Sequence, residues 1–170
     1  NISSGLPNKT ITSIALHSLD DNRIWVTFSG YTENDKVYGS IDGGENYTNI
    51  SANLPNLPVN CAAYYNDDET IFIGTDIGVW YSDSSMTDWS LFNQGLPNVI
   101  VNELEIQWNS NKMFAGTYGR GVWVTELPSN LPPTASFNYS LSGGCSGGVD
   151  FSNLPTLANA VTLDIGDNTP

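Results

Sequence analysis

The chain has 170 residues, 39 % hydrophobic and 11 % aromatic, enough apolar material for one ordinary domain or two small ones. Eighteen acidic residues stand against five basic ones, a net charge of −13. That excludes a nucleic-acid binder, which needs Lys and Arg to neutralise phosphates, and disfavours an anionic membrane surface. No stretch approaches the roughly 20 apolar residues that cross a bilayer, so membrane insertion is not expected either.

In chain order, β-branched and aromatic runs bounded by Gly, Asn, Asp and Pro predict strands near 11–18, 23–30, 36–42 and 47–51. A second set falls near 59–65, 70–76, 78–84 and 89–93, and a third near 101–107, 112–118 and 121–127. The first turn of each set carries turn-forming side chains: Asp20-Asp21-Asn22, Asn66-Asp67-Asp68 and Asn109-Ser110-Asn111. No segment shows helical periodicity of useful length.

The three sets are copies of one unit. Asn1-Ile2-Ser3-Ser4-Gly5-Leu6-Pro7 agrees with Asn49-Ile50-Ser51-Ala52-Asn53-Leu54-Pro55 at five of seven positions, and Gly95-Leu96-Pro97 keeps the end of the motif. Leu6, Leu54 and Leu96 lie 48 and 42 residues apart, within the range of propeller blades of four strands each. Val37-Tyr38, Val79-Trp80 and Val122-Trp123 repeat inside the units. The expected fold is therefore all-β: part of a β-propeller over residues 1–127, about three four-stranded blades, the last lacking a strand. Asn1-Ile2-Ser3 matches the end of a fourth strand, so further blades are expected upstream.

A linker at 128–134 precedes a change of composition. Residues 135–140, 149–151 and 161–165 read as strands around a Gly/Ser loop, too few for a sandwich of about seven strands. Cys61 and Cys145 fall in different modules, which makes a mutual disulfide unexpected. Cys61 reads as a buried thiol; Cys145, in the loop, is open to an outside partner.

Ser40-Ile41-Asp42-Gly43-Gly44-Glu45-Asn46-Tyr47 resembles the Asp-box of BNR-type propellers, Ser-x-Asp-x-Gly-x-Thr-Trp, at Ser40, Asp42 and Gly44, with Tyr47 in place of the Trp. Ser82 to Trp89 is a decayed copy that keeps Ser82 and Trp89. Gly74-Thr75-Asp76-Ile77-Gly78-Val79-Trp80 and Gly116-Thr117-Tyr118-Gly119-Arg120-Gly121-Val122-Trp123 look like sortilin-type (Vps10-type) and xyloglucanase-type propellers. Pro133 to Phe137, Val149-Asp150-Phe151 and Asp164-Ile165-Gly166-Asp167 resemble the start of a PKD domain, an immunoglobulin-like sandwich, over 135–170. This combination is similar to large secreted or cell-surface proteins of Bacteroidetes-type bacteria, and the resemblance implies an extracellular location.

In an Asp-box, the carboxylate of Asp42 accepts from turn N–H groups, Gly43 and Gly44 supply positive φ, and Tyr47 packs beneath. Ser40, Asp42, Gly44 and Tyr47 thus form a hairpin clasp, with no catalytic role expected. Hairpins alternate ends, so the opposite loop end presents Tyr31, Glu33 and Asp35, then Asp76, then Tyr118 and Arg120. Of these, Tyr31, Asp76, Tyr118 and Arg120 are the candidate ligand contacts, since Tyr and Arg suit carbohydrate or peptide.

Enzymatic constellations are poorly represented. A sialidase-like arginine triad cannot be built from Arg23 and Arg120, and the lone His17 excludes multi-His metal sites. A glycosidase needs two carboxylates across the bond, and no sequence feature singles out a pair. No cofactor is expected, and Asp164 and Asp167 are candidate calcium ligands with turn capping as the alternative. Two functions follow: a non-catalytic segment of a larger protein that recognises glycan or protein, or a piece of a xyloglucanase-type glycoside hydrolase supplying substrate-binding surface. Either way, exposed strand edges call for further blades or a partner.

Overall fold

The computed structural model describes residues 1–65, 69–93 and 95–127, together with the strands at 138–142 and 148–152. The chain divides into two units, Asn1–Ser129 and Asn130–Pro170.

In the first unit, strands β1 (Ile11–Leu16), β2 (Ile24–Phe28), β3 (Val37–Ser40) and β4 (Thr48–Asn49) form an antiparallel sheet in sequence order. Strands β5 (Val59–Tyr65), β6 (Thr70–Thr75), β7 (Gly78–Ser82) and β8 (Ser90–Leu91) repeat it. Strands β9 (Val101–Gln107), β10 (Lys112–Thr117) and β11 (Gly121–Glu126) make a third sheet with three strands. Among the described residues there is no α-helix. Each sheet is one up-and-down blade, and the expected order of strands holds in all three.

The central strands of the first two blades are buried on both faces, whereas β10 of the third alternates between buried and half-buried residues. Every residue of Ile24-Trp25-Val26-Thr27-Phe28 and of Thr70–Thr75 is buried. One core lies between the first two blades, where Ala15, Trp25 and Val37 meet Val59, Tyr64, Ile71, Ile73 and Trp89. Another lies between the second and third, where Cys61, Phe72, Val79 and Phe92 meet Val101, Leu104, Met113 and Ala115. Within the first core the Trp25 and Tyr64 rings stack at 4.9 Å, which ties one blade to the next.

The outermost strands are shorter than expected: β4 and β8 have two residues each. Single backbone bonds continue both edges, from Ile50 N–H to Val37 O at 3.0 Å and from Phe92 N–H to Val79 O at 2.7 Å. Beyond them side chains replace the ladder. Ser51 Oγ accepts from Lys36 N–H at 2.9 Å and Val37 N–H at 3.1 Å, and Asn93 Oδ1 accepts from Val79 N–H at 2.9 Å. Ser51 and Asn93 each lie three residues before the repeated Leu54 and Leu96. One backbone need is thus met at one repeat position by two residue types.

Each first strand also carries a β-bulge at its second residue. The register skips Thr12 in β1, Asn60 in β5 and Asn102 in β9. A bulge re-aims its side chain. Here Thr12 Oγ1 donates to Val59 O at 2.6 Å, and Asn60 Nδ2 donates to Val101 O at 3.2 Å. The same device therefore fastens the first blade to the second and the second to the third.

In the second unit, β12 (Asn138–Ser142) and β13 (Gly148–Ser152) form an antiparallel hairpin with Tyr139 opposite Phe151. The strand expected over 149–151 lies within β13, and the one expected over 135–140 is described only from Asn138, as β12. The strand expected at 161–165, together with Cys145, Asp164 and Asp167, lies outside the described residues.

Candidate functional site

The two ends of the blades differ in chemistry. At one end, the turn between β3 and β4 closes on itself. Ser40 Oγ donates to Asp42 Oδ1 at 2.8 Å and accepts from Gly44 N–H at 2.9 Å. Asp42 further accepts from Asn46 N–H at 2.9 Å and from Asn46 Nδ2 at 2.7 Å. Gly43 and Gly44 have φ of 71° and 88°, the left-handed region that glycine tolerates best. A Cβ on Gly44 would lie 2.9 Å from the Tyr47 hydroxyl and 3.0 Å from Ile2, so the aromatic ring and the incoming chain crowd over the turn. The amide of Asn46, with Ser40 and the backbone, holds the Asp42 carboxyl below the usual carboxylate range. Every oxygen of Asp42 is committed to the turn, leaving a clasp and no free acid or base.

The β1–β2 turn lies at this same end, since Gly43 N–H donates to Asn22 O at 2.9 Å. His17 is used locally: its Nδ1 accepts from Leu19 N–H at 3.0 Å and Asp20 N–H at 2.9 Å. In the decayed copy, Asp83 moves one position earlier and accepts from Ser85 N–H at 2.8 Å. The retained Trp89 is buried, and its indole N–H donates to Ile50 O at 2.7 Å.

A groove also runs near this end. Its volume is about 440 Å³, and Arg23, Trp25, Glu69, Asp83, Met86 and Trp89 are among its lining residues. Its chemistry is already consumed. Arg23 pairs with Glu69 at 2.8 Å and lies 3.7 Å from Asp20, while Trp25 and Trp89 are buried and offer no open ring face.

The other end carries the candidate contacts. Tyr31 is exposed on the β2–β3 loop, and its hydroxyl lies 3.5 Å from Asp76 Oδ2 in the β6–β7 turn. Asp76 Oδ1 accepts from Asn60 Nδ2 at 3.1 Å, and the same amide reaches Val101 O. A polar chain from Tyr31 through Asp76 and Asn60 to Val101 thus crosses all three blades. Tyr118 and Arg120 sit in the β10–β11 turn and are both exposed. That turn is held by Tyr118 N–H donating to Ile100 O at 2.9 Å, Thr117 Oγ1 to Gly121 O at 2.6 Å and Trp123 Nε1 to Arg120 O at 3.1 Å. Arg120 has no ion pair among the described residues.

Asp35 is structural: it accepts from Lys9 Nζ at 2.5 Å and from the Tyr38 hydroxyl at 2.7 Å. Those two bonds pull its carboxyl below the usual range. Beside it Lys36 is buried and donates to Gly30 O at 2.6 Å, which shapes the loop that presents Tyr31. Burial pushes the Lys36 ammonium below its usual range. Glu33 remains exposed.

Sequence reasoning missed Asn60, which orients Asp76. The signal was available: Thr12 and Asn60 occupy one repeat position, and the second is a better donor and acceptor. Among the described residues no group of three His, Cys, Asp or Glu side chains could hold a metal ion. No described helix is long and apolar enough to cross a membrane.

Among solved structures, the chain is similar to a GH74 xyloglucanase from Xanthomonas campestris, with a TM-score of 0.55 at 13 % identity over 68 % of this chain and 20 % of that one. It is also similar to an ancestral GH74 enzyme, with a TM-score of 0.52 at 15 % identity over 68 % of this chain and 17 % of that one. No protein-family model and no curated protein matches. The chain thus spans about a fifth of the length of these β-propeller structures, and the likeness is one of fold.

Proposed function

We propose that this chain is a non-catalytic, glycan-binding segment of a larger secreted or cell-surface β-propeller protein. Residues 1–127 are the binding propeller portion, 128–134 a linker, and 135–170 the beginning of a PKD-like spacer. The observation that carries this reading is the polar chain Tyr31–Asp76–Asn60–Val101. It fixes a carboxylate beneath an exposed aromatic at the loop end, where exposed Tyr118 and Arg120 stand on the corresponding turn of the third blade. Exposed tyrosine rings stack on sugar faces, and carboxylate and guanidinium groups bond sugar hydroxyls. The net charge of −13 favours neutral over anionic glycans.

The test is electrophoresis through native gels containing a neutral or an anionic polysaccharide. Xyloglucan, mixed-linkage glucan or galactomannan should retard the chain, and polygalacturonate should not. Tyr118→Ala with Arg120→Ala should remove the retardation. Equal mobility in every gel sinks the proposal.

The fold comparisons favour a second reading, in which the whole protein is a xyloglucanase-type glycoside hydrolase and this segment supplies substrate-binding surface. Reducing-end release by the full-length protein, absent for this segment alone, would support it.

A further inference from the structure

The sequence contains one Asp-Gly pair, Asp42-Gly43, and no Asn-Gly. An Asp-Gly pair can rearrange without any co-reactant. The glycine nitrogen attacks the aspartate side-chain carbon Cγ. An N–Cγ bond forms, one carboxyl oxygen leaves as water, and a cyclic succinimide results. Water then opens the ring at one of its two carbonyls, so the molecule lost in the first step is regained in the second. One product is aspartate again. The other is isoaspartate, whose main chain runs through the former side-chain methylene. Glycine favours the attack because it has no Cβ to hinder it.

In the β3–β4 turn both reacting groups are held. The carboxylate accepts from the Ser40 hydroxyl at 2.8 Å, Asn46 N–H at 2.9 Å and Asn46 Nδ2 at 2.7 Å, and all three bonds must break before Cγ can swing toward Gly43 N. The departing oxygen must be protonated, and Asn46 and Ser40 keep the carboxyl charged by holding it below its usual range. Attack also requires Gly43 N to give up its proton, which it donates to Asn22 O at 2.9 Å. Asp42 and Gly43 are only half-buried, and Asn46 is exposed. Water therefore reaches the pair once the turn opens, with no separation of blades.

We infer that Asp42-Gly43 is a conditional modification site: the bonds from Ser40, Asn46 and Asn22 suppress its isomerisation, and local opening of this turn, not unfolding of the blades, sets the rate. The product cannot close the turn again. Asp42 bonds two residues back to Ser40 and four ahead to Asn46, and an added main-chain methylene changes both spacings. Nor is there room for a longer chain. Gly44 is buried, and a Cβ on it would already lie 2.9 Å from the Tyr47 hydroxyl and 3.0 Å from Ile2. Isomerisation thus converts the clasp into an open loop and records that the turn has opened.

The test follows isoaspartate at residue 42 in the whole chain during long incubation at mildly acidic pH. Peptide mapping reads it, together with resistance to an endoprotease that cuts before aspartate. Native wild type should accumulate little, while the chain in urea accumulates it steadily. Asn46→Ala removes one bond to the charged carboxylate and should raise the native rate about tenfold, with Ser40→Ala similar. Gly74→Ala crowds the core between the second and third blades and leaves the turn untouched. It should keep the wild-type rate, because local and global opening are separate events. Tryptophan emission checks that each variant stays folded during incubation. Equal rates in native wild type and in urea overturn the inference. So do wild-type rates in both turn variants, equal acceleration by Gly74→Ala, or no isoaspartate even in urea.

Discussion

The side-chain amide of Asn53 closes a two-bond ring on the main chain of Trp89: Nδ2 donates to Trp89 O at 3.0 Å, and Trp89 N–H donates to Oδ1 at 2.7 Å. A residue of the connection after the first blade thus does for β8 what a neighbouring strand would do. Two main-chain groups lose partners in Asn53→Ala, which should cost about 1–3 kcal/mol. Urea unfolding followed by tryptophan fluorescence reads this, and an unchanged midpoint would show that water serves Trp89 equally well.

Gly74 and Gly116 occupy the same repeat position but meet different neighbours. A Cβ on Gly74 would fall 2.5 Å from Cys61 Sγ and 2.8 Å from Val101 Cγ1, inside the core between the second and third blades. On Gly116 the nearest atom is Glu103 Cβ at 3.4 Å. Gly74→Ala should destabilise by about 1–3 kcal/mol through overpacking. Gly116→Ala should be close to neutral. Thermal melts of the two variants compare them directly, and equal shifts would contradict the packing described for the second interface.

Asp42 contributes through its lowered ionisation. Its folded carboxyl titrates below the ordinary value because Asn46 and Ser40 bond the charged form. The resulting stability is present above the unfolded value of 3.8 and is lost as pH falls through the folded one. Asp42→Asn should flatten the acid limb of a stability-against-pH curve and leave polysaccharide retardation unchanged. Lost retardation would move the binding surface to the turn end.

Cys61 is buried at the same interface as Gly74, and burial, reinforced by the charge of Glu103, pushes its thiol up to about 12. The unfolded thiol ionises near 9.0. Between these values unfolding releases a proton, so this residue's contribution falls as pH rises. In the native chain near neutral pH, iodoacetamide should leave Cys61 unmodified, as read by peptide mass mapping, and should modify it in denaturant. Native modification would mean that the second interface opens readily.

Much of the architecture was legible because it rests on local chemistry. Alternating apolar residues and Asn/Asp turns located every strand of the three blades. Alternation of hairpin ends placed Asn22 and Gly43 together, and their backbones are hydrogen-bonded. What escaped were contacts between residues distant in sequence, such as Tyr31 with Asp76 or Asn53 with Trp89. Those depend on how one twisted sheet settles on the next, and neither propensity nor periodicity encodes it. The bulge positions lie between the two cases. Thr12, Asn60 and Asn102 align once the repeats are superposed, yet nothing in a threonine and two asparagines signals a bulge until the register is seen. Short outer strands were overextended in the reading because Ser51, Asn53 and Asn93 have the composition of strand ends and the function of strand partners.

The proposed division between a structural turn end and a glycan-binding loop end can be tested residue by residue. The measurement is a ¹⁵N–¹H correlation spectrum of the chain titrated with xyloglucan oligosaccharides. The backbone amides of Tyr31, Asp76, Tyr118 and Arg120 should shift in a saturable, concentration-dependent way, while those of Asp42 to Asn46 stay in place. Shifts confined to the Asp42 turn, or none at saturating oligosaccharide, would contradict it.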